Sequence, residues 1–175
     1  MSSPSVDPTL LTGMGAAISI LLTAAGAAIA SGHAGIFALR NAADVKGFVP
    51  IVQAGVLAVY GIIIGVMLSH KMVAEPTLTV VQGYRYLSAG LSVGCACLAS
   101  GCGMASFIRQ CNEGKAVSSV AAATAAPVGK GESQPLLPAS PAEQGIDFKK
   151  LIMVMIFLEA IGLYGLVVSL FLIGY

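Results

Sequence analysis

The chain has 175 residues, of which 57% are hydrophobic and 10% are charged, and nine lysines and arginines nearly balance eight acidic residues. Soluble domains carry about 25% charged residues, so this composition disfavours a water-soluble enzyme. A nucleic-acid-binding protein needs a dense basic face, which a net charge of +1 with so few charged side chains excludes.

Four apolar runs follow one another along the chain, and each is long enough to cross a lipid bilayer as a helix of about 20 residues. The first run is too long for the apolar part of a cleaved signal peptide, and no Lys or Arg precedes it, so we expect it to be retained. The fold class predicted is an all-α membrane protein. Its four transmembrane helices are expected over about 11–39, 48–69, 86–108 and 151–174.

The segment between the third and fourth runs, 110–147, is rich in Ala, Ser, Pro, Gly and Gln. It contains an Ala-rich stretch that is compatible with a short helix, but the rest lacks apolar periodicity. Such a composition is typical of unstructured insertions. We therefore expect a mobile loop here and not a further domain.

Lys and Arg are concentrated on one side of the predicted membrane helices. The loops after the first and third helices together hold Arg40, Lys46, Arg109, Lys115, Lys130, Lys149 and Lys150. The opposite side holds Lys71 and Arg85. Because basic residues accumulate in cytosolic loops, these two loops are predicted to be cytosolic, and both chain termini are predicted to face the lumen or the exterior.

The chain contains an internal duplication. Tyr60-Gly61 in the second run aligns with Tyr164-Gly165 in the fourth, with aliphatic residues matching around them. Ala30-Ser31-Gly32 in the first run aligns with Ala99-Ser100-Gly101 in the third. We therefore predict two related helical hairpins in tandem, with the same orientation in the membrane, over residues 1–70 and 71–175.

Small residues recur at every fourth position in the first and third helices, which allows helix backbones to approach closely in lipid. The residues that form these two narrow faces are Ala24, Ala28 and Gly32, and Cys97, Gly101 and Ala105. The cysteines are interpreted as small apolar residues, because their spacing fits neither a disulfide framework nor a zinc site. Narrow odd-numbered helices and bulky even-numbered helices favour a ring of hairpins around an axis.

One charged residue, Glu159, lies near the middle of the fourth run, next to apolar residues such as Phe157. A carboxylate at this depth costs several kcal/mol unless it is protonated or paired, and no Lys or Arg lies at a matching depth. We therefore expect Glu159 to be neutral where it faces lipid, and to ionise where water or a cation is supplied. This is the behaviour of a proton carrier.

The first hairpin has Gly55 at the position equivalent to Glu159, so the carboxyl group is present in one hairpin only. Gln53 lies at a similar depth and is a candidate hydrogen-bond donor to the carboxyl group. The phenols of Tyr60 and Tyr164 are two further candidates. The chain has no phosphate-binding loop, and no nucleophile next to a base. We expect no cofactor and no metal ion.

Three segments resemble the proteolipid family, subunit c, of the vacuolar-type proton ATPases, and the resemblance covers nearly the whole chain. They are Lys46–Val66, Tyr86–Gly101 and Ile152–Leu172, and the last holds a carboxyl residue followed by Leu-Tyr-Gly. The resemblance implies that two fused hairpins carry one essential glutamate on the last helix. Glu159 occupies that position.

The resemblance also implies a rotor that carries no ATP site of its own. Copies of the chain, or sibling proteolipids, would form a ring in the membrane of the vacuole or another acidic organelle. This ring would turn against the stator subunit a, with the central-stalk subunit d at its cytosolic side. Glu159 would take up a proton from the cytosol, cross the lipid in neutral form and release the proton to the lumen.

Two alternatives remain open at this point. The sibling proteolipid c′ also keeps its glutamate on the last helix, so the residues fit c and c′ equally, whereas c″ keeps its acid in the earlier hairpin. The other alternative is a membrane scaffold or pore-forming oligomer that uses the same ring without coupling to ATP hydrolysis.

Overall fold

The computed structural model describes residues 7–40, 45–74, 77–124 and 148–174. Within these ranges the chain is almost entirely helical and contains no strand. The helices are α1 (Pro8–Arg40), α2 (Val49–Ala74), α3 (Val80–Thr124) and α4 (Phe148–Gly174), with a short 3₁₀ helix over Val45–Phe48 before α2. The predicted all-α fold is confirmed.

Each of the four helices contains a stretch long and apolar enough to cross a membrane. Their outer surfaces are apolar as well, since large side chains such as Val52, Val66, Phe157 and Phe171 are more than 60% exposed. Little of this surface is charged, so lipid is the environment in which such a surface is stable.

The third helix is longer than predicted. The sequence predicts that it ends near residue 108 and is followed by a loop over 110–147 in which the Ala-rich stretch is compatible with a short helix, whereas α3 continues without a break to Thr124. Ala has the highest helix propensity of all residues, and the segment that ends at Thr124 is rich in Ala, while Pro127 follows only later in the sequence. The rest of the expected loop lies outside the described residues, so its mobility stays a prediction.

α1 packs against both α2 and α3, α3 packs against α4, and α2 also touches α4. The contact between α1 and α3 is the closest, because glycines bring the two backbones together at two levels. A Cβ atom at Gly15 or at Gly26 would lie 2.6 Å from a backbone oxygen of α3. Gly90 and Gly101 face these glycines from α3. In each helix the two glycines are eleven residues apart, which is about three helical turns.

The two predicted narrow faces differ in their surroundings. In α3 the predicted residues are buried in the chain: Cys97, Gly101 and Ala105. In α1 they are exposed: Ala24, Ala28 and Gly32. Helix α1 contacts α3 through a different face, which contains Gly15 and Gly26. Within the chain, therefore, the small residues predicted for α1 do not form its packing face, and they stay a prediction for contacts outside the chain.

The two hairpins are related as predicted, but with a different register between α1 and α3. In the first hairpin, a Cβ atom at Gly61 would lie 2.8 Å from the oxygen of Ser19. In the second, a Cβ atom at Gly165 would lie 3.2 Å from the oxygen of Ser92. Since Gly61 aligns with Gly165, Ser19 corresponds to Ser92. The sequence alignment of Ala30–Gly32 with Ala99–Gly101 is therefore shifted by four residues, which is about one helical turn.

Candidate functional site

The side chain of Glu159 lies on α4 at its contact with α2, and it is partly buried. Apolar side chains precede and follow it on the outer surface of the helix, among them Ile156, 54% exposed, and Ile161, 44% exposed. The carboxyl group therefore lies at the border between the helix bundle and the apolar surface of the chain. Neither the interior nor the surface around it is rich in charge.

Two side chains of α2 donate hydrogen bonds to the carboxyl group. The Nε2 atom of Gln53 donates to one carboxylate oxygen, Oε2 of Glu159. The hydroxyl group of Tyr60 donates to the other, Oε1, over 3.2 Å. Gln53 and Tyr60 are seven residues apart, about two helical turns, so they lie on the same face of α2. Each of the two carboxylate oxygens therefore accepts one hydrogen bond from α2, and the carboxyl group lies between the two donors along that helix.

Close packing fixes α4 against α2 and α3 next to the carboxyl group. A Cβ atom at Gly162 would lie 2.9 Å from Cδ2 of Leu57, a fully buried residue of α2, and 3.4 Å from the sulfur of Cys97. On the α3 side, the hydroxyl group of Ser100 donates to the backbone oxygen of Leu158 over 2.5 Å. The backbone on both sides of Glu159 is thus held by neighbouring helices, which sets the direction of its side chain.

Both hydrogen-bond donors are neutral, and this determines which chemistry the site can support. An amide or a phenol does not supply the positive charge that holds a carboxylate permanently ionised in the membrane. Both groups can also accept a hydrogen bond, so Gln53 and Tyr60 can bond a protonated carboxyl group as well as an ionised one. The site can therefore satisfy Glu159 in both protonation states, which a group that takes up and releases a proton requires.

Three of the candidate site residues lie away from the carboxyl group. Tyr164 and Phe157 are 68% and 69% exposed on the surface of α4. Gly55 is exposed, and nothing lies within 4 Å of a Cβ atom built on it. A helix turns by about 100° per residue, so Tyr164, five residues after Glu159, points to another side of α4. The structure thus brings Gln53 and Tyr60 to Glu159, but not these three residues.

Two contacts at the site were not predicted, those of Ser100 and Gly162. Gly162 follows Glu159 by about one turn, so a small residue at this spacing was a usable signal of close helix contact. Ser100 gave no such signal, because its role depends on the register between α3 and α4. In the part of the chain that the structure describes, no group of three or more His, Cys, Asp or Glu side chains could hold a metal ion.

Comparison with known proteins decides the family. No family model matches the chain. The chain is 31% identical over 164 residues to the V-type proton ATPase 16 kDa proteolipid subunit c of Nephrops norvegicus, which covers 91% of this chain and 87% of that protein. The chain belongs to the proteolipid family of the V-type proton ATPases.

Other relatives include both kinds of proteolipid considered above. The V-type proton ATPase subunit c′ of Saccharomyces cerevisiae is 31% identical over 165 residues, 90% of this chain and 84% of that protein. The human 16 kDa proteolipid subunit c is 29% identical over 164 residues, 91% of this chain and 88% of that protein. The chain is an integral membrane protein and a non-hydrolytic rotor subunit of a proton-translocating ATPase, as predicted. The choice between c and c′ stays open.

Proposed function

We propose that Glu159 is the proton carrier of this V-ATPase proteolipid. The observation that supports the proposal is the pair of neutral donors, Gln53 and Tyr60, on the two oxygens of a carboxyl group that no cation of the described chain bonds. A proton on Glu159 removes the charge that would otherwise oppose its passage through lipid. The two donors stabilise the ionised form when the proton leaves.

The cycle follows from these two states. Glu159 takes up a proton where a water path from the cytosol reaches it, and then crosses the lipid as a neutral carboxyl group. It releases the proton towards the lumen where the stator subunit a supplies a positive charge. Gln53 and Tyr60 keep the carboxyl oxygens bonded throughout, which limits the cost of having either form in apolar surroundings.

The partners of the chain are other copies of itself or sibling proteolipids, arranged in a ring that turns against subunit a. Two observations support the ring: the tandem hairpins, and the exposed small residues Ala24, Ala28 and Gly32 on α1, which no neighbour covers within the chain. The central-stalk subunit d binds at the cytosolic end of the ring.

The cytosolic end of the ring is the end at which α1 finishes. Arg40 of α1 and Arg109 of α3 lie close to this end, and the Nη1 atom of Arg40 donates to the backbone oxygen of Asn112 over 3.3 Å. The other end has Lys71 and Arg85. The larger number of basic residues at the Arg40 end supports cytosolic loops after α1 and α3, with the termini in the lumen of a vacuole or another acidic organelle.

The proposal is tested by ATP-driven acidification of membrane vesicles in which every copy of the chain carries Glu159→Gln. Gln keeps the size of the side chain and one acceptor oxygen, but it cannot take up and release a proton. We expect normal assembly of the membrane sector and loss of acidification. The matched control is Glu113→Gln, which removes an exposed carboxylate that pairs with Arg109 and is expected to leave acidification unchanged.

Persistent acidification with Glu159→Gln would refute the carrier role and leave Glu159 as a structural residue. Co-purification distinguishes the remaining alternative. A chain that assembles in intact membranes without the soluble ATPase subunits is an uncoupled scaffold or pore, not a rotor subunit.

A further inference from the structure

The internal repeat of this protein can be read residue by residue from its packing. Ser19 of α1 is equivalent to Ser92 of α3, as shown above, and a second pair of equivalent residues gives the same register between these helices. A Cβ atom at Gly65 would lie 3.5 Å from the oxygen of Ala16. At the corresponding place in the second hairpin, the hydroxyl group of Ser169 donates to the oxygen of Ala89 over 2.6 Å. Ala16 therefore corresponds to Ala89, in the same register as Ser19 and Ser92.

This register assigns an equivalent to each glycine of the close contact between α1 and α3. The equivalents lie on the opposite helix, and none of them is a glycine: Ser88 for Gly15, Ala99 for Gly26, Ala17 for Gly90 and Ala28 for Gly101. All four equivalents are exposed in the chain. The exposed face of α3 and the exposed face of α1 therefore match each other as the two sides of a second α1–α3 contact. A single chain cannot form this contact, because the two faces point away from each other.

The ring proposed above brings α1 of a second copy against the exposed face of α3, and we propose that this contact between copies is wider than the α1–α3 contact inside the chain. In this contact Ser88 and Ala99 of one copy meet Ala17 and Ala28 of the next. A rotation superimposes the first hairpin on the second. The same rotation then superimposes the second hairpin on the first hairpin of the next copy. The inference rests on the ring assembly proposed above.

The difference in width follows from the side chains. Inside the chain, a Cβ atom at Gly15 or Gly26 would lie 2.6 Å from a backbone oxygen of α3, closer than real Cβ atoms come. Ser88 and Ala99 both have that atom, so the second contact cannot close to the same distance. The spacing between helices depends on the side chains at the contact. Around the ring, the spacings between α1 and α3 therefore alternate between narrow ones within a copy and wide ones between copies.

The same rotation accounts for the exposed residues of α4. At the contact between copies, Phe157 and Tyr164 of α4 occupy the positions that Gln53 and Tyr60 of α2 occupy at the carboxyl site inside the chain. The residue they face on α2 of the next copy is Gly55, which has no carboxyl group. The contact between copies thus repeats the framework of the carboxyl site, but without a proton-binding residue.

Helix association in membranes depends on van der Waals packing and close backbone approach. The narrow contact within a copy is therefore the stronger one, and the wide contact between copies is where the ring separates first. A consequence is that substitutions on the outer faces affect assembly of the ring more than folding of the single chain.

The direct test is a cryo-EM structure of the ring from the purified membrane sector. The expected result is a shorter distance between the axes of α1 and α3 within a copy than between α3 and α1 of the next copy, with Ala99 at the second contact. Equal spacings, or the reverse order, would overturn this inference and leave the proton-carrier function intact. A membrane sector with no ring would instead contradict the proposed function.

A variant tests the same surface in solution. Ala99→Phe adds bulk to a face that is open in the single chain, so the helical content is expected to stay and the ring to be lost on native gels or mass photometry. Val52→Phe, at a 69% exposed position of α2, is the matched control and is expected to keep the ring. A ring of normal stability with Ala99→Phe would overturn the proposed contact.

Discussion

Replacement of Gly26 by Ala tests the close contact between α1 and α3, in which the two helix backbones meet. The added Cβ atom would lie 2.6 Å from the backbone oxygen of Cys97, whereas ordinary van der Waals contacts begin at 3.4 Å. The two helices must therefore separate locally by about 0.8 Å. Overpacking of this kind costs about 1–3 kcal/mol.

Gly32→Ala is the matched control, because it makes the same change on the same helix. Nothing lies within 4 Å of a Cβ atom at Gly32, so no collision arises within the chain. Ala is favoured over Gly in a helix by about 1 kcal/mol, and this gain is common to both variants. The difference in unfolding free energy between the two variants therefore isolates the collision at Gly26.

The assay is reversible unfolding of the single chain in mixed detergent micelles, followed by helical circular dichroism. We expect Gly26→Ala to be less stable than Gly32→Ala by about 1–3 kcal/mol. Equal stability of the two variants would show that the α1–α3 contact does not depend on direct approach of the backbones at Gly26.

Three further predictions concern the carboxyl site. Gln53→Leu and Tyr60→Phe each remove one hydrogen bond to the carboxylate, and such a bond to a charged group is worth about 1.5–3 kcal/mol. Acidification by an assembled enzyme is therefore expected to slow by about tenfold or more. Normal rates would show that these bonds are dispensable. Tyr164→Phe is the matched control and is expected to leave the rate unchanged, whereas a slowing would place that phenol at the carboxyl group. Gly55→Glu combined with Phe157→Gln is expected to give α2 a second carboxyl group that carbodiimide labels, and a failure to label it would contradict the contact between copies.

Two neighbours of the carboxyl group could be predicted from the sequence because a charged residue is easy to identify in an apolar run, whereas the proton-carrying role of Glu159 stays a prediction. Glu159 is the one charge in its apolar run, and Gln53 was placed near it by the Tyr-Gly alignment of the second and fourth helices. That alignment is reliable because bulky aromatic and aliphatic residues leave a distinctive pattern. The structure brings Gln53 and Tyr60 to the carboxyl group, while Tyr164 depends on a helix face that depth alone does not define.

The register and the faces of α1 and α3 were harder to predict for a physical reason. Both helices are rich in Ala, Gly and Ser, so a slip of four residues puts one small residue on another and leaves the pattern unchanged. For the same reason α1 has small residues on two faces. One face contains Ala24 and Ala28, and the other contains Gly26 and Ala30. Only the distance between the backbones distinguishes the face that packs within the chain.

The end of α3 was missed because hydropathy identifies what lies in the membrane, not where a helix stops. Residues after Arg109 are polar enough to leave the apolar span, yet their Ala content keeps them helical up to Thr124. A prediction based on helix propensity alone would have extended the helix, and a prediction based on hydropathy ends it early.

Modification of the intact enzyme by a hydrophobic carbodiimide tests whether Glu159 carries the proton. These reagents react with protonated carboxyl groups in apolar surroundings. We expect peptide mapping to find the label on Glu159 and not on Glu113, and acidification to fall in parallel with labelling. Labelling of exposed acids with Glu159 unmodified, or full acidification after Glu159 is modified, would show that Glu159 is not the proton carrier.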